Sequence, residues 1–296
     1  MGNAIIVNYH YIRDESTNGI RACSIERFRE QLVSLKKKYK IVSVPDAYKA
    51  ALENVNGNFC ALTFDDGLVE HYKIAFNFLK QQNVTGTFFV IGSSLKEKTV
   101  PATHKLHLLL SKKSSNELAD LFHAFFGNRF LLSKTIRLNP KRRFDDVLTS
   151  NLKESLIALP AEDRNSFIDS VFGQLYGDET QIFDELFMSA ENVKEMHENG
   201  MTIGSHTYSH QALDGRDRMD QALDIERGME VVSDIVNAPV KALSYPHGRY
   251  DKNTLEILEE KKFSWAVILG GRAVKARDHK FCIPRYDTND ISQILK

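Results

Sequence analysis

The sequence has little cysteine and no pattern of paired cysteines. Its 296 residues include only Cys23, Cys60 and Cys282, which are isolated from one another and odd in number. This spacing excludes a disulfide framework and a CxxC metal or redox motif. We expect the three residues to be reduced, buried thiols, which favours a reducing compartment.

The sequence also lacks a surplus of charge and a long apolar run. Lys+Arg and Asp+Glu each number 39, so the formal net charge is zero, which argues against a nucleic-acid partner. No run approaches the roughly 18 apolar residues that a membrane span needs. The N-terminus "MGNAIIVNYHYI" lacks the basic start, long apolar core and cleavage site of a secretory signal. We therefore expect a cytoplasmic protein without a membrane span, unless a signal precedes the sequence given, and we make no prediction of its oligomeric state.

Short apolar runs alternate along the chain with segments of helical periodicity. Helix-like segments such as 24–39, with Ser24 as cap, fall between most of the strand-like runs. Seven runs are typical of buried strands: 4–10, 40–44, 60–67, 86–92, 201–206, 240–246 and 264–270. This alternation predicts an α/β fold with a parallel sheet. Seven strands favour a (β/α) barrel, distorted or incomplete, over a flat doubly wound sheet, for which the chain has no GxGxxG or P-loop motif.

Residues 95 to about 187 interrupt the alternation. They contain no convincing strand, and four stretches have the pattern of helices: 104–111, 115–128, 147–160 and 163–177. The segment is too long for an ordinary loop. We therefore predict one domain over residues 1–296, with a helical insertion at about 95–187.

Two short stretches carry residues suited to catalysis. "LTFDDG" (62–67) places Asp65 and Asp66 at the end of an apolar run, and "IGSHTYSH" (203–210) places His206 four residues before His210. Two histidines at this spacing can share a metal ion if the backbone turns between them. The C-terminal ends of barrel strands meet at one rim, so both stretches can face one pocket. One aspartate could then bind a cation with the histidines, while the other stays available as a base.

These stretches, together with "SYPHG" (244–248), resemble the successive motifs of the polysaccharide deacetylases, the NodB-homology or carbohydrate esterase family 4 enzymes. The resemblance covers about 1–94 and 188–290 and implies a NodB-like barrel. It implies that Asp65 is the catalytic base. It also implies one divalent ion, zinc or otherwise Co²⁺, Ni²⁺ or Fe²⁺, held by a triad of Asp66, His206 and His210.

The resemblance implies a set of substrate-binding residues as well. Tyr245 and Pro246 would line an acetyl pocket, and a backbone N–H near Tyr245 would help to hold the oxyanion. His247 would contact either substrate or solvent. "CIPRYD" (282–287) resembles the late "PR" segment of many shorter members, which implies a site role for Arg285, although pairing with an acid such as Asp287 is the alternative.

The chain departs from the better-known members at three motifs. Ser244 stands where their groove motif begins with arginine, and their acidic-plus-tryptophan and late Leu-x-Leu-His motifs are not recognisable. The "YH" segment at 9–10 resembles the start of a circularly permuted branch, which includes exopolysaccharide deacetylases of biofilm matrices. In that branch a first-strand histidine replaces the late one, which implies that His10 is the general acid. A purely structural histidine is the alternative.

The resemblance implies a metal-dependent hydrolase that removes an N-acetyl or similar acyl group from an amino sugar. The substrate would be an N-acetylated amino sugar or oligosaccharide, within a glycan or a precursor of a surface glycan. The departures leave open a catalytically decayed sugar-binding protein on the same fold. Two histidines and one carboxylate also form the facial triad of non-haem iron oxygenases, but the α/β alternation disfavours that reading.

Overall fold

The computed structural model describes residues 3–140, 142 and 144–295. Among these residues the strands are β1 Asn3–Tyr9, β2 Lys40–Ile41, β3 Asn58–Phe64, β4 Thr87–Val90, β5 Thr202–Ser205, β6 Ala242–Ser244, β7 Trp265–Leu269 and β8 Ile283–Asp287. The helices are α1 Ile25–Lys38, α2 Val44–Leu52, α3 Asn77–Gln81, α4 Gly92–Glu97, α5 Ala102–Lys112, α6 Ser115–Phe126, α7 Val147–Ala158, α8 Ala161–Tyr176, α9 Glu179–Leu186, α10 Ala190–Glu198, α11 Arg218–Val236, α12 Lys252–Glu260 and α13 Ser292–Leu295. A π-helical turn, His71–Phe76, precedes α3.

Seven parallel strands close into a barrel. Strands β3 to β8 lie side by side in chain order, and β1 closes the ring by pairing with both β8 and β3. Strand β2 pairs with the beginning of β3 as an extra strand outside the ring. The closed parallel barrel confirms the fold predicted from the alternation of strands and helices.

The identity of the seventh barrel strand differs from the prediction. The predicted strand at 40–44 was wrong beyond Ile41, because Ser43 caps α2 by accepting a hydrogen bond from the Asp46 N–H. The seventh strand of the ring is β8, which the apolar pattern did not reveal. Its five residues include Pro284 and Arg285, which are unusual in a central strand.

The strands of the barrel are buried on both faces. In β1, Ala4 and Ile6 pack in one apolar cluster, whereas Ile5 and Val7 pack in another that includes Phe28 of α1. Successive side chains of a strand point to opposite faces, so both faces of β1 are covered. This double burial explains why the strands appear in the sequence as continuous apolar runs.

Two compact units make up the chain. The barrel unit comprises the residues up to Asp14, Ala22–Thr99 and the residues from Phe183 onward. The helical unit comprises Glu15–Arg21 and Val100–Ile182, and it contains the four helical stretches predicted from the sequence. Helices α5 to α8 of this unit surround a separate apolar core. Among the described residues, none of the helices combines the length and the apolar character needed to cross a membrane.

Candidate functional site

The ends of several barrel strands contribute polar side chains to one cluster. Four fully buried polar side chains within the strands belong to this cluster: Asn8 of β1, Thr63 of β3, Ser244 of β6 and Arg285 of β8. Asp65 and Asp66 directly follow β3, and His206 directly follows β5. Parallel strands place their C-terminal ends at the same rim, which explains the convergence of residues distant in sequence.

The carboxylate of Asp65 is surrounded by hydrogen-bond donors. The Arg285 guanidinium donates from Nη1 to Oδ1 at 2.8 Å and from Nη2 to Oδ2 at 2.7 Å. Asn8 Nδ2 and Ser244 Oγ each donate to Oδ2 at 3.1 Å. Burial alone would raise the pKa of Asp65, but the Arg285 guanidinium and His206 outweigh it and hold that pKa well below its usual range. Asp65 is therefore ionised at neutral pH.

Arg285 is an internal partner of this carboxylate. Its side chain is 2% exposed and also donates to Asn8 Oδ1 at 2.7 Å and to Ser244 Oγ at 2.9 Å. Its carboxylate partner is Asp65 rather than Asp287, the alternative weighed from the sequence. This placement favours a role in holding Asp65 over the substrate contact predicted for Arg285. Ser244 of β6 stands where the groove motif of the better-known family members begins with arginine. In this chain the guanidinium group is supplied instead by Arg285 of β8.

The backbone after β3 separates the two neighbouring aspartates. Asp66 has φ 83° and Gly67 has φ 74°, so two successive residues adopt the left-handed region. This region is costly for residues other than glycine, and it turns the chain sharply at the end of the strand. The Asp66 carboxylate consequently faces the histidines, while that of Asp65 faces Arg285.

Asp66, His206 and His210 form a buried cluster with metal-binding geometry. Asp66 Oδ1 lies 3.3 Å from His206 Nε2 and 3.2 Å from His210 Nε2, and the three ligand atoms lie within 4.8 Å of one another. His206 Nδ1 donates to the Ser244 carbonyl at 2.7 Å, which fixes Nε2 as the atom that faces Asp66. One carboxylate oxygen and two imidazole nitrogens fit Zn²⁺ or a similar divalent ion.

The charge on His206 depends on the two aspartates. Burial would lower the pKa of His206, but its hydrogen bond with Asp66 and the charges of Asp65 and Asp66 outweigh burial and raise that pKa. The same negative field would attract a cation into the cluster.

His10 lies beside Asp65 at the edge of the cluster. His10 Nε2 is 3.9 Å from Asp65 Oδ2, and the His10 side chain is 33% exposed. The backbone carbonyl of His10 accepts a 2.7 Å hydrogen bond from Nε2 of His71, a fully buried residue in the π-helical turn. Burial lowers the pKa of His71, so this ring is held neutral while it fixes the backbone at His10.

The residues of the groove motif (244–248) lie partly in the core and partly at the site. The Tyr245 hydroxyl donates to the Phe281 carbonyl at 2.8 Å and the ring stacks on Tyr250 at 4.7 Å, so this side chain is anchored in the core; its place in an acetyl pocket stays a prediction. Burial raises the pKa of Tyr245. Pro246 is buried as well. His247 is half-buried, and its ring centroid lies 5.0 Å from that of His210, which brings it to the metal-binding cluster.

Several residues of the site were not predicted from the sequence. Asn8 and Thr63 bind the Asp65–Arg285 pair, and His71 holds the backbone at His10. The available signal was a polar residue inside an apolar strand run, as Asn8 is in "AIIVNYH". Such a residue, once buried, must find a hydrogen-bond partner.

A family model described as "Polysaccharide deacetylase" matches residues 53–120 and 144–265 of the chain. The chain is also 26% identical over 124 residues to YxkH of Bacillus subtilis (strain 168), a protein provisionally named a polysaccharide deacetylase. This match spans 42% of the chain and 42% of that relative.

Solved structures with this fold cover nearly the whole chain. The Streptococcus pyogenes deacetylase PplD, in complex with acetate, has 17% identity and a TM-score of 0.64, with 99% of this chain and 98% of that chain covered. IcaB from Ammonifex degensii has 20% identity and a TM-score of 0.63, with 99% and 96% covered. A de-N-acetylase from Aggregatibacter actinomycetemcomitans has 14% identity and a TM-score of 0.57, with 98% of both covered. At these identities the likeness shows a shared fold.

Proposed function

Because this chain belongs to the polysaccharide deacetylase family, we propose that it is a metal-dependent hydrolase that removes an N-acetyl or similar acyl group from an amino sugar in a glycan or glycan precursor. The family resemblance predicted from the motifs is confirmed, whereas the circular permutation stays a prediction. The observation that carries the proposal is the juxtaposition of an ionised, fixed Asp65 with the cluster of Asp66, His206 and His210.

Asp66, His206 and His210 would hold the divalent ion, for which we propose Zn²⁺, with Co²⁺, Ni²⁺ and Fe²⁺ as alternatives. A bound ion of this kind supplies Lewis acidity toward an acyl oxygen and toward water. The hydrogen bond from His206 Nδ1 to the Ser244 carbonyl orients the imidazole for this role.

Asp65 acts as the general base in this proposal. Its carboxylate is ionised at neutral pH and cannot rotate freely, because Arg285 binds both of its oxygens. The low pKa makes Asp65 a weak base, so it can accept a proton only from a water molecule whose own pKa is lowered. A divalent ion held by Asp66, His206 and His210 would lower the pKa of water in this way. Fixed orientation offsets part of this weakness, since a positioned base loses little entropy on reaction.

His10 acts as the general acid. It lies next to the base, and a third of its side chain is exposed, so it can approach both Asp65 and a bound substrate. Hydrolysis of an amide needs a proton on the leaving nitrogen, and imidazole is the common donor near neutral pH. The hydrogen bond from His71 to the His10 carbonyl holds the donor at this edge.

Release of acetate from an N-acetylglucosamine oligomer tests the proposal. The full-length protein would be assayed as purified, after removal of metal by a chelator, and after addition of Zn²⁺, Co²⁺ or Ni²⁺. We expect turnover that is lost on chelation and restored by at least one ion, and an inactive Asp65→Asn variant that still binds metal. If no acetylated or formylated amino sugar is hydrolysed with any ion, while the oligomer still binds, the proposal fails in favour of a sugar-binding protein on this fold.

A further inference from the structure

The turn that carries both histidines, residues His206–His210 and called here the histidine turn, has an unusual backbone. Thr207 has φ 61° and His210 has φ 56°, so two residues that are not glycine adopt the left-handed region. Such conformations cost on the order of 1–3 kcal/mol each and persist only where surrounding contacts enforce them. The neighbouring elements must therefore hold the turn in place.

Asp224 of α11 binds the middle of the histidine turn. Its side chain is 4% exposed. Oδ1 accepts from the Ser209 N–H at 2.8 Å and Oδ2 accepts from Ser209 Oγ at 2.8 Å. The Tyr208 N–H is shared between Oδ1 at 3.2 Å and the Asp224 backbone carbonyl at 3.0 Å. Arg216 Nη1 donates to Oδ2 at 2.6 Å and orients the carboxylate. One carboxylate thus binds two successive backbone N–H groups between His206 and His210.

Gly228 allows α11 to approach the same turn directly. A Cβ atom at Gly228 would lie 2.4 Å from the Thr207 carbonyl carbon and 2.6 Å from the Tyr208 nitrogen. Both neighbours are backbone atoms, which cannot move aside as a flexible side chain would. Asp224 and Gly228 are four residues apart and therefore lie on one face of the helix.

The start of α4 binds the carbonyl groups of the same turn. The Gly92 N–H donates to the Thr207 carbonyl at 3.0 Å, and the Ser93 N–H donates to the Tyr208 carbonyl at 2.9 Å. The histidine turn is consequently bound through its N–H groups by α11 and through its carbonyl groups by α4. This arrangement leaves little freedom for the backbone on either side of the two imidazoles.

We propose that Asp224 and Gly228 form a template that sets the metal-binding geometry of the histidine turn, with Asp224 as a positioning residue. The inference rests on the proposed function, in which His206 and His210 hold a divalent ion. Without the Asp224 carboxylate, the turn would relax from its left-handed conformations and separate the two imidazole nitrogens. Groups that orient metal ligands typically contribute about 10- to 100-fold to metal affinity.

The Zn²⁺ affinity of the metal-free, full-length protein tests the template, measured by competition with a chromophoric chelator. We expect Asp224→Ala and Gly228→Ala to bind Zn²⁺ about 10- to 100-fold more weakly than wild type, with an altered Co²⁺ absorption spectrum. Asp224→Asn should be intermediate, because its amide oxygen can still accept from Tyr208 and Ser209. If Asp224→Ala does not fold, the Zn²⁺ affinity of Asp224→Asn provides the test instead.

Matched variants separate positioning from general stability. Asp234→Ala removes an exposed carboxylate from the same helix, and Gly173→Ala adds a methyl group in α8 where no atom beyond the local helix backbone lies within 4 Å. Both should bind Zn²⁺ with wild-type affinity. A merely structural role for Asp224 would lower the melting temperature but leave the metal affinity and the Co²⁺ spectrum of the folded protein unchanged.

The outcomes distinguish the two proposals. Wild-type affinity and an unchanged Co²⁺ spectrum in folded Asp224→Ala or Asp224→Asn would overturn the template and leave the metal site intact. A wild-type protein that binds neither Zn²⁺ nor Co²⁺ would overturn both the metal-dependent function and the template that depends on it.

Discussion

Asp65 and Asp66 are adjacent in sequence, but they belong to two halves of the site with opposite character. In the base half, formed by Asp65, Arg285, Asn8 and Ser244, the carboxylate accepts hydrogen bonds from the other three residues. In the metal half, formed by Asp66, His206 and His210, a carboxylate oxygen faces two imidazole nitrogens at 3.3 and 3.2 Å.

The difference shows which half the protein completes by itself. The base half contains its own cation, the Arg285 guanidinium, so its charge is balanced within the fold. The metal half brings lone pairs together, and these repel one another unless a proton or a cation lies among them. The charge of the base half is therefore balanced within the protein, whereas a divalent ion, as proposed above, would balance the charge of the metal half.

The largest effect should come from removing one carboxylate from each half. Asp66→Ala should weaken Zn²⁺ binding by more than the roughly 10- to 100-fold typical of groups that only orient ligands, because it deletes one of the three proposed protein ligands. Asp65→Asn should change Zn²⁺ affinity less than about tenfold, while turnover falls by about 10² to 10⁴. Chelator competition and acetate release measure the two quantities. Equal losses of metal affinity in both variants would show that the halves are not distinct.

Arg285→Met should have the next largest effect, on stability. It leaves the Asp65 carboxylate buried without its cation, and breaking a buried pair costs about 3–5 kcal/mol of unfolding free energy. Urea denaturation at pH 7 measures this loss. The double variant Asp65→Asn/Arg285→Met should recover part of it, since no unpaired charge remains.

The pH dependence of the Arg285→Met effect can be derived from the low pKa of Asp65. A carboxylate with a depressed folded-state pKa contributes stability above its unfolded value of about 3.9, and this contribution is lost as the pH falls. The stability difference between wild type and Arg285→Met should therefore shrink as the pH falls below about 4. A difference under about 1 kcal/mol at pH 7 would contradict the assigned role of the pair.

His10→Ala should affect catalysis alone. We expect turnover to fall by about 10²-fold, the lower end of the range for a general acid, with Zn²⁺ affinity unchanged. Full activity in this variant would rule out His10 as the proton donor and leave it a structural histidine.

The smallest effect should come from replacing His71, whose ring donates a hydrogen bond to the His10 backbone carbonyl. His71→Leu removes one buried hydrogen bond and should cost about 1 kcal/mol of unfolding free energy at pH 8. Burial lowers the pKa of His71, so its neutral form stabilises the fold above about pH 6.5 and this contribution is lost as the pH falls. The difference between variant and wild type should therefore shrink below that pH. A difference that grows on acidification would contradict the assignment.

The main features of the fold could be predicted from local patterns. Continuous apolar runs such as 60–67 indicated buried strands, and Ser24 caps the helix whose start it predicted. Strand β8 was not predicted because Pro284 and Arg285 interrupt the apolar pattern by which the other strands were recognised. The charge on Arg285 is acceptable in a barrel strand only because Asp65 balances it, and a local pattern does not contain that partner.

The sequence by itself determined which residues could bind a metal, since the spacing of His206 and His210 and the Asp65–Asp66 pair are local features. Only the tertiary structure decided which groups surround each of the two aspartates. Asp65 and Arg285 are 220 positions apart, and closure of the barrel between β1, β3 and β8 brings them into contact. Local spacing fixes which side chains are neighbours along the chain, but the charge on a buried carboxylate depends on every group that surrounds it in space.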